Sequence, residues 1–273
     1  MYKMEGPPIE TSELAFFLVP NVQPTGQELG RGAFGSVEMV EIPGAVCAVK
    51  TIHSQLLKIG STGDCRHMIS KFVSECSLMS KLRHPHIVQF LGVCYLPGSR
   101  LPSLVMEYLE TDLHKLLEAT PNLPLTIKQS ILLDVTQGLL YLHSQSPSII
   151  HRDLTAKNVL LNSAMVAKIA DMGIARIVDL QPGQLATMTQ GPGNIVYMPP
   201  EAIGKHARYN ASLDIFSFGH LTLFTLTQMW SQLKCATYIL IQTQKKLLLT
   251  LKLSNVRMSL IVFIVSLNVN MLL

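Results

Sequence analysis

Five residues with charged, imidazole or amide side chains fall within eight positions of the stretch SIIHRDLTAKNVLL, residues 148–161, and apolar runs flank them on both sides. They are His151, Arg152, Asp153, Lys157 and Asn158. An aspartate can accept a proton from a hydroxyl group, and carboxylate and amide oxygens are the ligands that hard divalent cations prefer. Asp171, thirteen residues after Asn158, adds a second carboxylate. Two readings fit this pattern: a catalytic loop that also binds metal, or a polar turn in which Asp and Asn bond their own backbone.

A second candidate site is the glycine-rich stretch LGRGAFGSV, residues 29–37. Its glycines are Gly30, Gly32 and Gly35. Glycine lets the backbone approach phosphate oxygens closely and adopt positive φ angles. A dinucleotide-binding glycine motif opens a helix, whereas this one runs into the alternating residues Val37 and Met39, which are typical of a strand. We predict a phosphate-covering flap between two strands, and a plain glycine-rich turn is the alternative.

A lysine and a glutamate provide the third candidate. Lys50 ends the apolar segment CAVK, where a strand-end charge would be the simple explanation. Glu75 lies between Phe72 and Met79, on the edge of the inward face of a predicted helix. A Lys–Glu pair that bridges strand and helix would hold the amine against the phosphates of a nucleotide.

The first part of the chain is predicted to be rich in strands. Residues 27–52 alternate as short strands around a Pro43-Gly44 turn, and residues 64–82 have the apolar spacing of a helix. Two further strands are expected at Val88–Cys94 and Leu104–Tyr108. The apolar run Leu14–Val19 is expected to be an N-terminal strand or a staple onto the domain.

The second part is predicted to be mainly helical. Apolar residues recur at helical spacing from Ile127 to Leu142, with Thr126 as a possible N-cap after Pro124. Together the two parts predict an α+β protein of two lobes, joined near Glu107–Glu110.

Composition limits the class of protein. Apolar residues make up 48% and charged residues 15%, which excludes a disordered chain. The net charge is +4, but residues 230–273 hold five basic and no acidic side chains, so the rest carries about −1 and indicates no nucleic-acid partner. The cysteines form no CxxC motif, which predicts reduced, buried thiols and a cytoplasmic protein. They are Cys47, Cys65, Cys76, Cys94 and Cys235.

Taken in order, the motifs resemble those of the eukaryotic protein kinases, and most closely those of the tyrosine-kinase-like (TKL) type. They are GRGAFGSV, AVK, FVSE, MEY, HRDLTAKN, DMG, PPE and LDIFSFG. The resemblance covers about residues 22–229. It implies a two-lobed kinase fold with a small β-rich N-lobe containing one main helix and a mostly helical C-lobe. It also implies Mg²⁺ and ATP as cofactors and a protein as substrate.

The resemblance also assigns roles to individual residues. The ATP-binding residues would be Leu29, Gly30, Gly32, Phe34, Gly35, Val37, Ala48, Lys50, Met106, Glu107 and Leu109. Within that set, Met106 would be the gatekeeper and Glu107–Leu109 the hinge that meets adenine. The catalytic residues would be Lys50, Glu75, Asp153, Asn158 and Asp171, with Asn158 and Asp171 as the metal ligands. Asp214 would anchor the catalytic loop, and a spine linking the lobes would consist of Met79, Phe90, His151 and Met172.

The chain departs from the kinase pattern at several positions. DLTAKN resembles tyrosine kinases, while VYMPPE resembles serine/threonine kinases, which we favour slightly. No match to the last C-lobe helices is found in residues 230–273. This tail is expected to be a truncation or misjoined reading, a substitute helix or a membrane contact. The chain is therefore divided into an N-terminal segment 1–21, a kinase domain 22–229 and an atypical tail 230–273. A weakly active or inactive pseudokinase-like binding module is the alternative function.

Overall fold

The computed structural model describes residues 14–31, 35–52, 62–99, 101–172, 176–178, 186–187, 197 and 208–228. Gly32, Phe34 and the predicted tail 230–273 lie outside these described residues, so the expectations about them are not addressed by the fold. The chain divides into two compact units between Glu110 and Thr111.

The first unit is built on a five-stranded antiparallel sheet with the order β1-β2-β3-β5-β4. Its strands are β1 (Gln23–Arg31), β2 (Gly35–Ile42), β3 (Ala45–Ile52), β4 (Phe90–Cys94) and β5 (Ser103–Glu107). The predicted turn at Pro43-Gly44 joins β2 to β3, and Gly44 has φ +84°, which glycine adopts without strain. The strands predicted from alternating residues are thus confirmed.

One long helix, α1 (Thr62–Met79), belongs to the same unit. Phe72, Cys76 and Met79 are all buried, as expected for the inward face of the helix predicted over 64–82. The helix ends three residues earlier than predicted, and turns follow it at Ser80 and Lys81.

The sheet has two distinct faces because side chains alternate along each strand. One face carries a cluster of buried apolar side chains: Val40, Cys47, Val49, Cys94, Leu96 and Val105. Ala48 and Lys50 alternate with Cys47 and Val49 along β3, so they lie on the opposite face. That second face is the one from which Lys50 extends.

An N-terminal strap, which we define as residues Leu14–Val19, lies along β4. It begins with a 3₁₀ turn at Ala15–Phe17 and continues into a single parallel bridge between Leu18 and Val93. The segment predicted to be a strand or a staple therefore pairs with the sheet through a single bridge and does not form a full strand.

The second unit is mainly helical, with short strands. Its helices are α2 (Leu113–Ala119), α3 (Leu125–Ser144) and α4 (Ser212–Thr227). Its strands are β6 (Thr111–Asp112), β7 (Ser148–Ile150), β8 (Val159–Leu161), β9 (Ala167–Ile169), β10 (Arg176–Val178), β11 (Ala186–Thr187) and β12 (Arg208–Tyr209). They pair as β6-β8-β9, β7-β10 and β11-β12.

The start of α3 corrects one expectation. Thr126 is not the N-cap, because the helix begins at Leu125 with Pro124 as its N-cap. The carbonyl oxygen of Pro124 accepts hydrogen bonds from the backbone N–H groups of Ile127 and Lys128, at 3.0 and 3.1 Å. The proline therefore sets the helix start, and Thr126 lies inside the first turn.

The apolar stripe predicted for α3 forms part of the core of the second unit. Ile131, Val135, Leu139 and Leu142 are fully buried, and α3 packs against α4. Within the described part of the chain, no helix combines the length and apolar character needed to cross a bilayer.

Candidate active site

The polar loop that opened the sequence analysis lies between β7 and β8. Its apolar flanks are the strands themselves, since Ile149, Ile150, Val159 and Leu161 are buried. A 3₁₀ turn at Ala156–Asn158 leads from the loop into β8. The short strands therefore fix both ends of the loop in the second unit.

Asp214 in α4 binds the backbone of this loop. Its Oδ1 accepts the backbone N–H of Arg152, and its Oδ2 accepts the backbone N–H of His151, each at 2.8 Å. His143 Nε2 lies 2.8 Å from the same Oδ2 atom. The predicted anchoring role of Asp214 thus corresponds to direct hydrogen bonds with the loop backbone.

The charge of Asp214 is maintained although the side chain is 0% exposed. Burial acts to raise the pKa of this carboxyl, because a buried charge loses its hydration. The hydrogen bond from His143, the electrostatic effects of His143 and His151, and the N–H of Arg152 outweigh burial and lower the pKa from its ordinary value. The anchor therefore remains an acceptor at neutral pH.

Arg152 has a backbone conformation that needs this anchor. Its φ is +72°, in the left-handed region that non-glycine residues rarely adopt. A residue in such a conformation costs about 1–3 kcal/mol and persists only where its surroundings impose it. The hydrogen bond to Asp214 at the N–H of this residue is one such constraint.

Asp153 and Asn158 meet directly. The Nδ2 atom of Asn158 donates to the backbone oxygen of Asp153 at 2.7 Å and to its carboxylate Oδ2 at 3.1 Å. The amide nitrogen is thus directed at Asp153, so the amide oxygen is the atom of Asn158 that suits a cation. The five-residue spacing in the sequence becomes a fixed pair in space.

The segment that contains Asp171 is attached to the same loop. The N–H of Ala170 donates to the backbone oxygen of Asn158 at 2.8 Å, and His151 Nε2 donates to the oxygen of Ala170 at 2.9 Å. Asp171 itself has φ +63°. The structure therefore brings Asp153, Asn158 and the backbone at Asp171 together, and it buries His151 and Met172 nearby in the core of the same unit.

The predicted Lys–Glu pair is present in the first unit. Lys50 Nζ lies 3.2 Å from Glu75 Oε1, with side chains 24% and 13% exposed. The pair joins β3 to α1, as the sequence indicated. Because both side chains are partly buried, the ion pair is more than a solvated surface contact. The carboxylate of Glu75 fixes the direction of the Lys50 amine.

The glycine-rich stretch spans a hairpin and not a helix start. Gly30 pairs with Val37 across β1 and β2, and Leu29, Gly30, Gly35 and Val37 are all half-buried. The predicted placement of these residues on two paired strands is confirmed, while their role in covering phosphates stays a prediction. The tip, with Gly32 and Phe34, lies outside the described residues.

The residues predicted to meet adenine lie at the end of β5. Met106 is opposite Ala48 in the strand register, and both are buried, as is Leu109. The N–H of Glu107 donates to the oxygen of Gln89 at 3.1 Å, and Glu107 Oε1 accepts the N–H of Gln89 at 2.7 Å. This segment is therefore held by two hydrogen bonds to Gln89, a residue not anticipated from the sequence.

Comparison with known families decides the assignment. A family model described as protein tyrosine and serine/threonine kinase matches residues 24–246, most of the chain. The chain belongs to the eukaryotic protein kinases. It is of the TKL-like type, and its β-rich first unit and mainly helical second unit are those of the two-lobed α+β kinase fold.

Three relatives illustrate the similarity. Serine/threonine-protein kinase VIK of Arabidopsis thaliana is 39% identical over 195 residues, covering 70% of this kinase and 42% of the relative. Serine/threonine-protein kinase CTR1 of the same plant is 32% identical over 219 residues, covering 78% and 25%. The seven transmembrane domain-containing tyrosine-protein kinase 1 of Dictyostelium discoideum is 34% identical over 224 residues, covering 78% and 30%. This kinase thus spans about a quarter to two fifths of the length of these relatives.

Sequence reasoning missed His143 as part of the kinase site. This residue follows Leu139 by four positions, so it continues the apolar stripe of α3 toward the catalytic loop. A polar residue at the end of such a stripe was the available signal. Ser217 was also missed: its Oγ donates to the oxygen of Tyr197 at 2.8 Å and so connects α4 to that residue.

Proposed function

We propose that this kinase transfers the γ-phosphoryl group of Mg·ATP to a protein hydroxyl, with serine or threonine favoured over tyrosine. The observation that carries the proposal is the pairing of Asp153 with Asn158 on a loop whose backbone is anchored by buried Asp214. Phosphoryl transfer is accelerated mainly by positioning and by neutralising charge. A loop that is fixed at both ends by strands and bound through its backbone by Asp214 positions the side chain of Asp153.

Asp153 is proposed as the group that accepts the proton of the substrate hydroxyl. Its carboxylate accepts a hydrogen bond from Asn158 Nδ2 at 3.1 Å, which orients it. Its own N–H donates to His151 Nδ1 at 3.2 Å. The first contact orients the carboxylate and the second holds the backbone of Asp153, so the carboxylate is directed before the substrate arrives.

Asn158 and Asp171 suit a magnesium ion. The donor set consists of an amide oxygen and a carboxylate, the hard oxygen ligands that Mg²⁺ prefers. The contact between Ala170 and Asn158 keeps the two residues on neighbouring backbone segments. When bound there, the ion would neutralise charge on the phosphate oxygens.

Lys50 is proposed to hold the phosphates of the nucleotide. Glu75 keeps the amine in place through a contact of 3.2 Å between Nζ and Oε1. Leu29, Gly30, Gly35 and Val37 on the β1–β2 hairpin would cover the nucleotide, and Met106, Glu107 and Leu109 would meet the adenine. This proposal is supported by the location of these residues in the same compact unit as Lys50.

The preference for serine or threonine is supported by the printed names of VIK and CTR1, both called serine/threonine-protein kinases. A Dictyostelium relative is called a tyrosine-protein kinase. Phosphoamino-acid analysis of a mixed protein substrate therefore tests this part of the proposal. Phosphotyrosine as the main product would overturn it.

Nucleotide binding is tested by melting curves with and without Mg·ATP. A ligand at a hundredfold excess over its Kd stabilises the native state by about 2.7 kcal/mol. We expect the wild-type chain to melt at a higher temperature with Mg·ATP, and Lys50→Met to shift much less. Equal shifts in melting temperature for both proteins would show that Lys50 does not hold the nucleotide.

Phosphoryl transfer is tested separately, with radiolabelled ATP and a mixed protein substrate. We expect label to enter protein with the wild-type chain and not with Asp153→Asn, which keeps the shape of the side chain and loses the base. Binding of Mg·ATP without any transfer would contradict the proposal and favour a non-catalytic binding module.

A further inference from the structure

The N-terminal strap, Leu14–Val19, covers an otherwise open edge of the sheet. β4 is the last strand in the order β1-β2-β3-β5-β4. The N–H of Val19 donates to the oxygen of Val93 at 2.8 Å, and Leu14 is fully buried. An edge strand offers unpaired backbone groups, and covering them stabilises the fold. The strap is therefore an integral part of the first unit.

Gly92 in β4 is matched to the strap. Its φ is +153°, and a Cβ added there would collide with the backbone oxygen of Phe17 and lie 2.5 Å from Val19 Cγ2. Only glycine combines that backbone conformation with so close an approach. Gly92 therefore permits the strap to lie directly on β4.

Phe17 links the strap to the face of the sheet that bears Lys50. Its ring meets the ring of Phe90 edge-on, with centroids 5.5 Å apart and planes at 74°. Phe90 is opposite Met106, and Met106 is opposite Ala48. Directly opposed residues of antiparallel strands project to the same face. Phe90, Met106 and Ala48 thus form a row across one face, and Phe17 extends that row beyond the sheet.

The row lies next to the amine of Lys50. Lys50 follows Ala48 by two residues along β3, so it projects from the same face. Met106 is an unbranched, flexible side chain, and its position depends on what packs around it. Phe90 lies directly opposite Met106 in the strand register, and Phe17 meets Phe90 through an edge-to-face contact, a geometry that aromatic pairs prefer.

We propose that the strap is a positioning element for Mg·ATP, in which Phe17 fixes Phe90 and through it the Met106–Ala48 row. The inference rests on the proposed nucleotide role of Lys50. Phe17 does not touch substrate; it acts through Phe90. A change that displaces the strap should therefore lower nucleotide affinity, because it removes the contact of Phe17 with Phe90.

The test compares two neighbouring phenylalanines in the full chain. Phe17→Ala removes the ring that meets Phe90, while Phe16→Ala removes a ring that is 89% exposed. Val40→Ala controls for lost stability, because Val40 is buried on the opposite face. Mg·ATP affinity is measured by titration calorimetry at a temperature where every variant is folded.

We expect Phe17→Ala to bind Mg·ATP about 2-fold to about 10-fold more weakly, the range that corresponds to one aromatic pair. Phe16→Ala and Val40→Ala should bind as the wild type does. Phe17→Tyr, which retains the ring, should restore affinity. Gly92→Ala should weaken binding as Phe17→Ala does, because its methyl group displaces the strap.

The outcomes separate the two proposals. If the wild-type chain binds Mg·ATP and Lys50→Met does not, the nucleotide site stands, and equal affinities of Phe17→Ala and Phe16→Ala then overturn the role of the strap. Equal weakening by Phe17→Ala and Val40→Ala would also overturn it, since lost stability alone would explain both. If the wild-type chain does not bind Mg·ATP, the proposed function fails, and the positioning role fails with it.

Discussion

His220 should make this kinase lose stability in mild acid. The ring is buried in α4, with the ring of Phe216 at a centroid distance of 4.7 Å and that of Tyr197 at 6.1 Å. Neither ring nitrogen has a hydrogen-bond partner among the described residues. Burial lowers the pKa of His220 from 6.5 to about 4, because a protonated ring would lose its hydration there.

The sign follows from the proton count. Between pH 6.5 and 4 the unfolded chain binds a proton at His220 that the folded chain does not, so the free energy of unfolding falls as the pH falls. One pKa unit corresponds to about 1.4 kcal/mol. Acidification from pH 7 to pH 5 should therefore cost about 2 kcal/mol through this ring alone.

The substitution His220→Phe keeps an aromatic ring beside Phe216 and removes the titrating group. We expect this variant to lose about 2 kcal/mol less than the wild type between pH 7 and pH 5. At pH 7 its stability should be equal or higher, because buried nitrogens without partners cost free energy. Urea unfolding at both pH values measures the difference.

Thr222→Val is the matched control. Thr222 is also buried in α4 with a hydroxyl that has no partner among the described residues, but it does not titrate. Its variant should follow the pH dependence of the wild type. Parallel losses of stability in the wild type and His220→Phe would refute the reasoning, since His220 would then take up its proton equally in the folded and unfolded states.

Three further results are expected. Asp214→Ala should lower the free energy of unfolding by about 3 kcal/mol or more in urea, because the N–H groups of His151 and Arg152 lose a buried acceptor; a loss below about 1 kcal/mol would argue against the anchor. Asn158→Ala should lower the rate of phosphoryl transfer by about 100-fold in single-turnover assays, because it releases Asp153 and removes a proposed metal ligand, and an unchanged rate would exclude both roles. Three buried thiols should resist alkylation at pH 8 until the chain unfolds, because burial raises their pKa values. Peptide-level mass spectrometry measures the labelling, and alkylation of these thiols in the folded protein would contradict the prediction. These thiols are Cys47, Cys76 and Cys94, and the last two have pKa values of about 12.

Patterns that repeat within one element were readable from the sequence. The buried stripe from Ile131 to Leu142 follows directly from helical spacing, and the β2–β3 hairpin follows from alternation around Pro43-Gly44. The Lys50–Glu75 pair was also accessible, because each residue lies at a defined position on its own element. In these cases local geometry sets the direction of the side chain before tertiary packing occurs.

Contacts that depend on distant parts of the chain were not readable in the same way. His143 reaches Asp214 across 71 positions, and Gly92 is explained only by the backbone of Phe17 passing over it. The N-cap at Pro124 was missed because Thr126 is the better capping residue by type. Each case depends on where a second segment lies, which residue type alone does not specify.

The hydrogen bonds of Asp214 also set an order of events during synthesis. Arg152 and its acceptor are separated by 62 positions, so at about 5–20 residues per second the ribosome needs about 3–12 s to supply the anchor after the loop has been made. During that interval two loop N–H groups lack their native acceptor, and the unfavourable φ of Arg152 has no compensation from it. The nascent chain therefore carries every side chain of the proposed catalytic set before the anchor exists, and completion of α4 supplies the acceptor that holds the loop backbone.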